Sequence, residues 1–153
     1  MDMLKPSENH LTLKRLQGSW IGDERLHPSP SDPTGGNGVG RVINRLALNG
    51  LIVIQDYEQE RDGKVSSKGH GIFSWDGTLH SYAFHWFDSL GTTPSVFHGG
   101  FLDNALTLIS KEKHGLSRVI FHFPDDGVYH FHFDVSKDGS HWYTMKEGRY
   151  VRQ

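Results

Sequence analysis

From Trp20 to Tyr150 the sequence is a succession of short β-patterned runs, each closed by turn residues, with no long helix between them. Asn49-Gly50, Asp62-Gly63, Asp76-Gly77, Asp103-Asn104, His114-Gly115, Pro124-Asp125-Asp126-Gly127 and Asp138-Gly139 mark the turns, and Asp88 to Pro94 forms a polar loop. Turn signals about every ten to twelve residues belong to a sandwich or a barrel. Nearly all the connections are hairpin-length, so consecutive strands should be spatial neighbours, whereas a Greek-key sandwich needs longer crossovers. The pattern predicts an all-β, closed antiparallel up-and-down barrel of about ten strands, which leaves no sheet edge exposed. A barrel of that strand number has room for packed side chains or one small ligand.

The 153 residues fit one domain spanning 1–153. Residues 7–17 read as a short capping helix over one barrel end. Ser7 is its N-cap, Leu11, Leu13 and Leu16 supply apolar contacts, and Gly18 lies past its end. Residues 27–38 carry three prolines, Pro28, Pro30 and Pro33, and three glycines, Gly35, Gly36 and Gly38. They read as a long loop at the barrel mouth.

Composition removes several classes of function. The formal net charge of -2 argues against a nucleic-acid partner or an anionic membrane held by bulk electrostatics. Cysteine is absent, which excludes disulfides, thiolate metal sites and cysteine nucleophiles. Met1 to Arg15 has no signal-peptide core, and no run approaches the about 18 apolar residues of a membrane span. A cytoplasmic location is the expectation. Gly35 to Gly40 is glycine-rich but leads into a strand, so it is not a phosphate loop. The 11 histidines are the one compositional oddity.

Alternation along the strands separates two faces. Tyr129, Phe131, Phe133 and Val135 oppose His130, His132 and Asp134, while in a strand read as Leu79 to Phe87 His80, Tyr82, Phe84 and Trp86 oppose Ser81, Ala83, His85 and Phe87. Lys and Glu are scarce on several of these strands. Either the second face lines a polar cavity, or both faces are covered because the protein forms a homodimer.

The order of certain residue blocks resembles a known family. Gly18-Ser19-Trp20 after a short helix is similar to the Gly-x-Trp signature of the lipocalin-like (calycin) barrels. The blocks Leu48-x-Gly50-x5-Asp56-Tyr57, Gly69-His70-Gly71-x3-Trp75-Asp76 and Tyr82-x3-Trp86-x-Asp88-x2-Gly91 resemble an uncharacterised bacterial family of lipocalin-like domains. Ser74-Trp75-Asp76 stands where that family commonly has Gly-Tyr-Asp. The resemblance covers most of the chain and implies the fold. It also implies that Trp20 packs at the closed end under an arginine of the last strand, Arg149 or Arg152. It carries over no catalytic residue.

Candidate chemistry comes from several groups. An expected small, partly apolar ligand would lie inside the barrel against Tyr57, Trp75, Tyr82, Phe84, Trp86 and Phe121. Arg41 and Arg45 share a face and would hold a carboxylate if they point inward. Trp20, Trp75, Trp86 and Trp142 are expected in the core and cavity wall. His130-x-His132, with Asp134 beside them and His122 and His141 as further ligands, is the candidate zinc set. His70, His85 and His98 lie on consecutive strands and would meet inside if their faces match, where a neutral imidazole could ligate haem. Haem is bound by a related group of ten-stranded calycin barrels, the nitrobindin group, whose motif this sequence lacks. No cofactor is expected on a motif. The alternatives to a non-enzymatic binding barrel are an enzyme using His, Asp or a His-held metal in a dry pocket, and a dimeric interaction module with a filled core. Asp56, Glu58 and Asp88, set among aromatics, are the carboxylates an enzyme would use.

Overall fold

The computed structural model describes all 153 residues, Met1–Gln153. An N-terminal helix α1 (Glu8–Thr12) tightens into a 3₁₀ turn (Leu13–Leu16) and is followed by ten strands. These are β1 (Gly18–Leu26), β2 (Gly36–Ala47), β3 (Ile52–Arg61), β4 (Lys64–Asp76) and β5 (Ser81–Asp88), then β6 (Ser95–Leu102), β7 (Ala105–Glu112), β8 (Gly115–Asp125), β9 (Val128–Ser136) and β10 (Tyr143–Arg152). Every neighbouring pair is antiparallel, and β10 returns to β1 to close the sheet. The seam pairs Trp20 with Arg152 and Gly22 with Tyr150. The predicted closed barrel with one short N-terminal helix is therefore the observed fold.

The turn dipeptides act as their chemistry requires. Asn49 (φ 59°, ψ 33°) and Gly50 (φ 86°) take the left-handed conformation a type I′ turn needs, and the Leu51 N–H donates to the Leu48 carbonyl. Asp62-Gly63 and Asp103-Asn104 also lie at positive φ.

Three sequence boundaries shift. Gly36 to Gly38, read as loop, pair with Glu24 to Leu26 and extend β2, so the loop ends at Gly35. The capping helix changes type midway, because the 3₁₀ repeat stacks Leu13 above Leu16 and drives both into the barrel, where they are 1% and 0% exposed. Leu11, expected to join them, faces solvent. Leu79 and His80 lie in the turn before β5.

The aromatic faces point inward. Phe73, Phe84, Phe97, Phe121, Phe123 and Tyr129 join Leu106, Leu108, Val53 and Trp20 in one continuous core. Phe73 stacks on Phe84 at 4.2 Å between centroids, and Trp20 meets Tyr129 edge-on at 4.8 Å. The N-terminal segment plugs the end where β1 begins. Leu16 gives its carbonyl to both Trp20 Nε1 (2.9 Å) and Asn44 Nδ2 (2.8 Å), and Tyr82 donates to the Asn9 carbonyl (2.8 Å). The guanidinium of Arg152 lies over the Trp20 ring at 4.2 Å and donates to the Gln17 and Asp126 carbonyls. Arg152 is therefore the arginine that covers Trp20. Arg149, three residues earlier and so on the opposite face of β10, is exposed on the outer surface.

Candidate functional site

The opposite end of the barrel, where β1 ends and β10 begins, carries no plug. The segment His27 to Gly35 is pinned to its rim. The His27 N–H donates to the Met145 carbonyl (2.9 Å), Tyr143 Oη to the Pro28 carbonyl (2.9 Å), and Arg61 to Asp32 and the Gly35 carbonyl (both 2.9 Å). Inward-facing Trp86, Phe131, Phe133 and Lys146 are only partly covered here.

Below them lies a charge. Glu24 is two residues in from the end of β1, about 6–7 Å down the strand, and its side chain is 0% exposed. Its carboxylate is held by side chains of two other strands, β3 and β10. Tyr57 Oη, from β3, lies 2.8 and 2.9 Å from the two oxygens and shares its proton between them. Gln59 Nε2 donates to Oε1 at 3.0 Å, and Tyr150 Oη, from β10, donates to Oε2. Lys146 Nζ stands 3.7 Å from Oε2 and 2.9 Å from Tyr57 Oη, with its side chain 19% exposed. It also lies 4.3 Å from the Tyr57 ring centroid and 5.4 Å from that of Phe131, within cation–π range.

Alternation builds this cluster. Glu24 follows Trp20 and Gly22 on one face, Gln59 follows Tyr57 on another, and Lys146, Gly148 and Tyr150 share a third. A bulge at Met145 sets the phase of β10 that points Lys146 inward. Glycines leave the space. A Cβ on Gly40 would collide with Tyr150 Oη and the Glu24 carboxylate, and one on Gly69 with the Trp86 ring.

The low dielectric governs titration. Burial, then the Glu24 charge, pushes the Tyr57 and Tyr150 phenols well above their ordinary value. Tyr129, stacked on Tyr150 at 4.8 Å, is raised for the same two reasons. Burial lowers the Lys146 amine, and Glu24 opposes that shift without cancelling it. The site therefore holds a carboxylate shielded by neutral phenols, with an amine that sheds its proton more readily than a solvated lysine.

Of the residues the sequence nominated, Tyr57, Phe84 and Trp86 lie together beside this cluster, at 6.0 Å between Tyr57 and Trp86 and 5.7 Å between Phe84 and Trp86. Phe121 is sealed in the core, and Trp75 and Tyr82 pack together at the plugged end. The histidine face points outward. His70, His85 and His98 are all exposed, so they do not meet inside the barrel, because their strand faces match on the outer side. His70 instead bonds Asp56 at 2.8 Å in solvent. His122 and His130 sit side by side on the outer surface, but His141 lies on the β9–β10 loop bonded to Asp138. No three His, Asp or Glu side chains converge on one cation position, so the expected zinc set does not form. Arg41 and Arg45 point into solvent. Trp142 also lies outside, under the Arg118 guanidinium at 4.0 Å, and Arg118 pairs with Asp134 at 2.8 Å.

Asp88 caps a turn, accepting from the Leu90 N–H (3.0 Å) and Thr92 Oγ1 (2.7 Å). Glu58 faces outward beside Lys68. The carboxylates offered for catalysis are thus structural or solvated. Glu24, Gln59, Lys146 and Tyr150 were missed, although one signal was present: Glu24 shares its strand face with Trp20. The outer surface has a cleft along β1, β2, β9 and β10, but Val39 is its one apolar lining residue. A second outer cleft, over β2 to β5, has Ile43, Tyr57 and Phe87 as its apolar lining among charged and polar residues.

The barrel recurs in solved structures. Rv2717c from M. tuberculosis superposes with a TM-score of 0.72 at 13% identity, covering 96% of this chain and 98% of that one. The S-type phycobiliprotein lyase CPES from Guillardia theta superposes with a TM-score of 0.64 at 10% identity, covering 97% and 98%. At these identities the likeness is one of fold. Among curated proteins none matches. The family model described as "Protein of unknown function (DUF1579)" matches residues 5–152, nearly the whole chain, and the chain belongs to that family.

Proposed function

We propose that this protein binds one small, partly apolar molecule at the unplugged mouth of a lipocalin-like barrel, without turning it over. The observation that carries this reading is the Glu24 cluster. A carboxylate removed from water costs several kcal/mol, and a barrel needing only stability would fill that position with an apolar side chain. Here three donors satisfy Glu24, while Lys146, the member that still touches solvent, retains ammonium hydrogens beyond the one directed at Tyr57. A ligand would enter past Trp86, Phe131 and Phe133, bury its apolar part against them, and present a hydrogen-bond acceptor to Lys146 Nζ. Its polar end is then a carbonyl or a carboxylate. A structural neighbour named as a phycobiliprotein lyase agrees with a barrel that handles a ligand, with far less weight than the cluster itself.

The test is a fluorescence titration with 8-anilinonaphthalene-1-sulfonate, an aromatic anion. Saturable one-to-one binding that weakens by about tenfold or more in Lys146→Met and in Trp86→Ala is expected, matching loss of a charged hydrogen bond or a stacking wall. Affinity unchanged in both folded variants would refute binding at the mouth.

A further inference from the structure

We propose that Lys146 captures carbonyl compounds: its amine condenses with an aldehyde or ketone group of the ligand to form an imine, with Glu24 as counter-ion. This rests on the reading of the mouth as the ligand site and narrows the ligand to a carbonyl compound carrying an apolar body.

Three features of Lys146 lead here. It is the one lysine of the chain that is not exposed. Its Nζ sits at the boundary between the apolar mouth and the polar cluster, 2.9 Å from Tyr57 Oη and 3.7 Å from Glu24 Oε2, with the Tyr57 and Phe131 rings on its flanks. The rest of the cluster is already in place for the product. A protonated imine keeps the positive charge of the ammonium at the same atom, and Glu24 lies on the side away from the mouth to balance it. Burial also lowers the Lys146 amine, which raises the fraction able to attack at neutral pH.

The step balances. The neutral amine adds to the carbonyl carbon, breaking the C–O π bond and giving a carbinolamine. The proton shed by the ammonium goes back to the hydroxyl, which leaves as water, and a C=N bond remains. Overall, ammonium and carbonyl become iminium and water, with no change in charge or oxidation state. Tyr57 Oη is the nearest group to relay that proton. The remaining iminium N–H then donates to Tyr57 Oη or Glu24 Oε2.

The test uses the full chain and cinnamaldehyde at neutral pH, with cyanoborohydride to fix any imine as a secondary amine. Peptide mapping by mass spectrometry then reads each lysine. Lys146 should be modified about tenfold faster than Lys64 or Lys111, both exposed on strands. Lys146→Arg, which keeps the cation and cannot form an imine, should lose the fast phase while retaining its fold. Labelling of Lys146 no faster than of Lys64 overturns the proposal. Cinnamyl alcohol, which has the same body without a carbonyl, separates the two readings. If it quenches the fluorescence of Trp86 (the signal that Trp86→Phe removes) while Lys146 stays unlabelled by the aldehyde, imine formation fails and binding at the mouth stands. If neither compound quenches, both fail.

Discussion

Glu24 shows how a single residue can be costly to the fold and still hold its place. Its carboxylate is out of water and is compensated by Tyr57, Gln59, Tyr150 and Lys146. Removing one partner of such a set strands the others. Lys146→Met leaves the carboxylate without its cation, and Glu24→Leu leaves an ammonium and two phenols without their acceptor. Each single substitution should destabilise the protein by about 3–5 kcal/mol. The double variant Glu24→Leu with Lys146→Met should be more stable than the sum of the singles by about 1 kcal/mol or more, because the second change removes the charge stranded by the first. Urea denaturation of the four proteins measures this coupling. Strict additivity would mean that Lys146 and Glu24 do not share one electrostatic site. The sequence held half of this information, since alternation puts Glu24 on the face of Trp20. Which residues from the distant β3 and β10 would meet it depends on barrel closure and on the bulge at Met145.

At the scale of elements, hairpins and glycines divide the work. The dipeptides Asn49-Gly50 and Asp62-Gly63 supply the positive φ that reverses the chain, and both were legible because few residue types tolerate that conformation. The glycines within strands have another role, which local sequence does not reveal. Gly40 is buried opposite Gly22 and faces Tyr150 Oη and the Glu24 carboxylate, so its missing side chain is the space those groups occupy. Gly40→Ala should cost about 1–3 kcal/mol through overpacking and should weaken ligand binding by displacing Glu24. Gly100→Ala, on β6, meets nothing within 4 Å and should stay within about 0.5 kcal/mol of the wild type. Denaturant midpoints of the two variants decide it. Equal losses would show that Gly40 is not reserved for the cluster.

Over the whole molecule, the interior sets the response to pH. Tyr57, Tyr129 and Tyr150 have folded-state pKa values raised above the unfolded value, chiefly by burial. Their contribution is fully present below the ordinary phenol value near 10 and is lost as pH rises beyond it, because the unfolded chain releases those protons first. Lys146 acts in the opposite direction. Its folded pKa is depressed, so the unfolded state binds more protons between that value and the ordinary lysine value near 10.4, and stability gains over that window. Burial raises the Tyr82 phenol as well, and four phenols against one amine predict a melting temperature that falls steeply above about pH 10. The phenolate absorbance of the four buried tyrosines, Tyr57, Tyr82, Tyr129 and Tyr150, should appear together with unfolding. Phenolate formation in the intact fold for all five tyrosines would contradict the enclosed interior.

The sequence alone determined that the chain would form a meander of short strands, where it would turn, and that the sheet would close. Those features follow from local rules: φ preferences at turns, alternation along strands and the penalty for open edges. It also placed Trp20 in the core at the capped end and put Tyr82, Phe84 and Trp86 together on one face of their strand, because side chains alternate along it. It left open which side of the histidine-bearing strands would be the outside, since His70, His85 and His98 alternate equally well in either sense. Only the tertiary structure decided that, by filling the interior with rings and turning the imidazoles to solvent. It alone also brought Glu24, Tyr57, Lys146 and Tyr150 together, because their contact comes from strands far apart in sequence whose register is fixed when β10 pairs with β1.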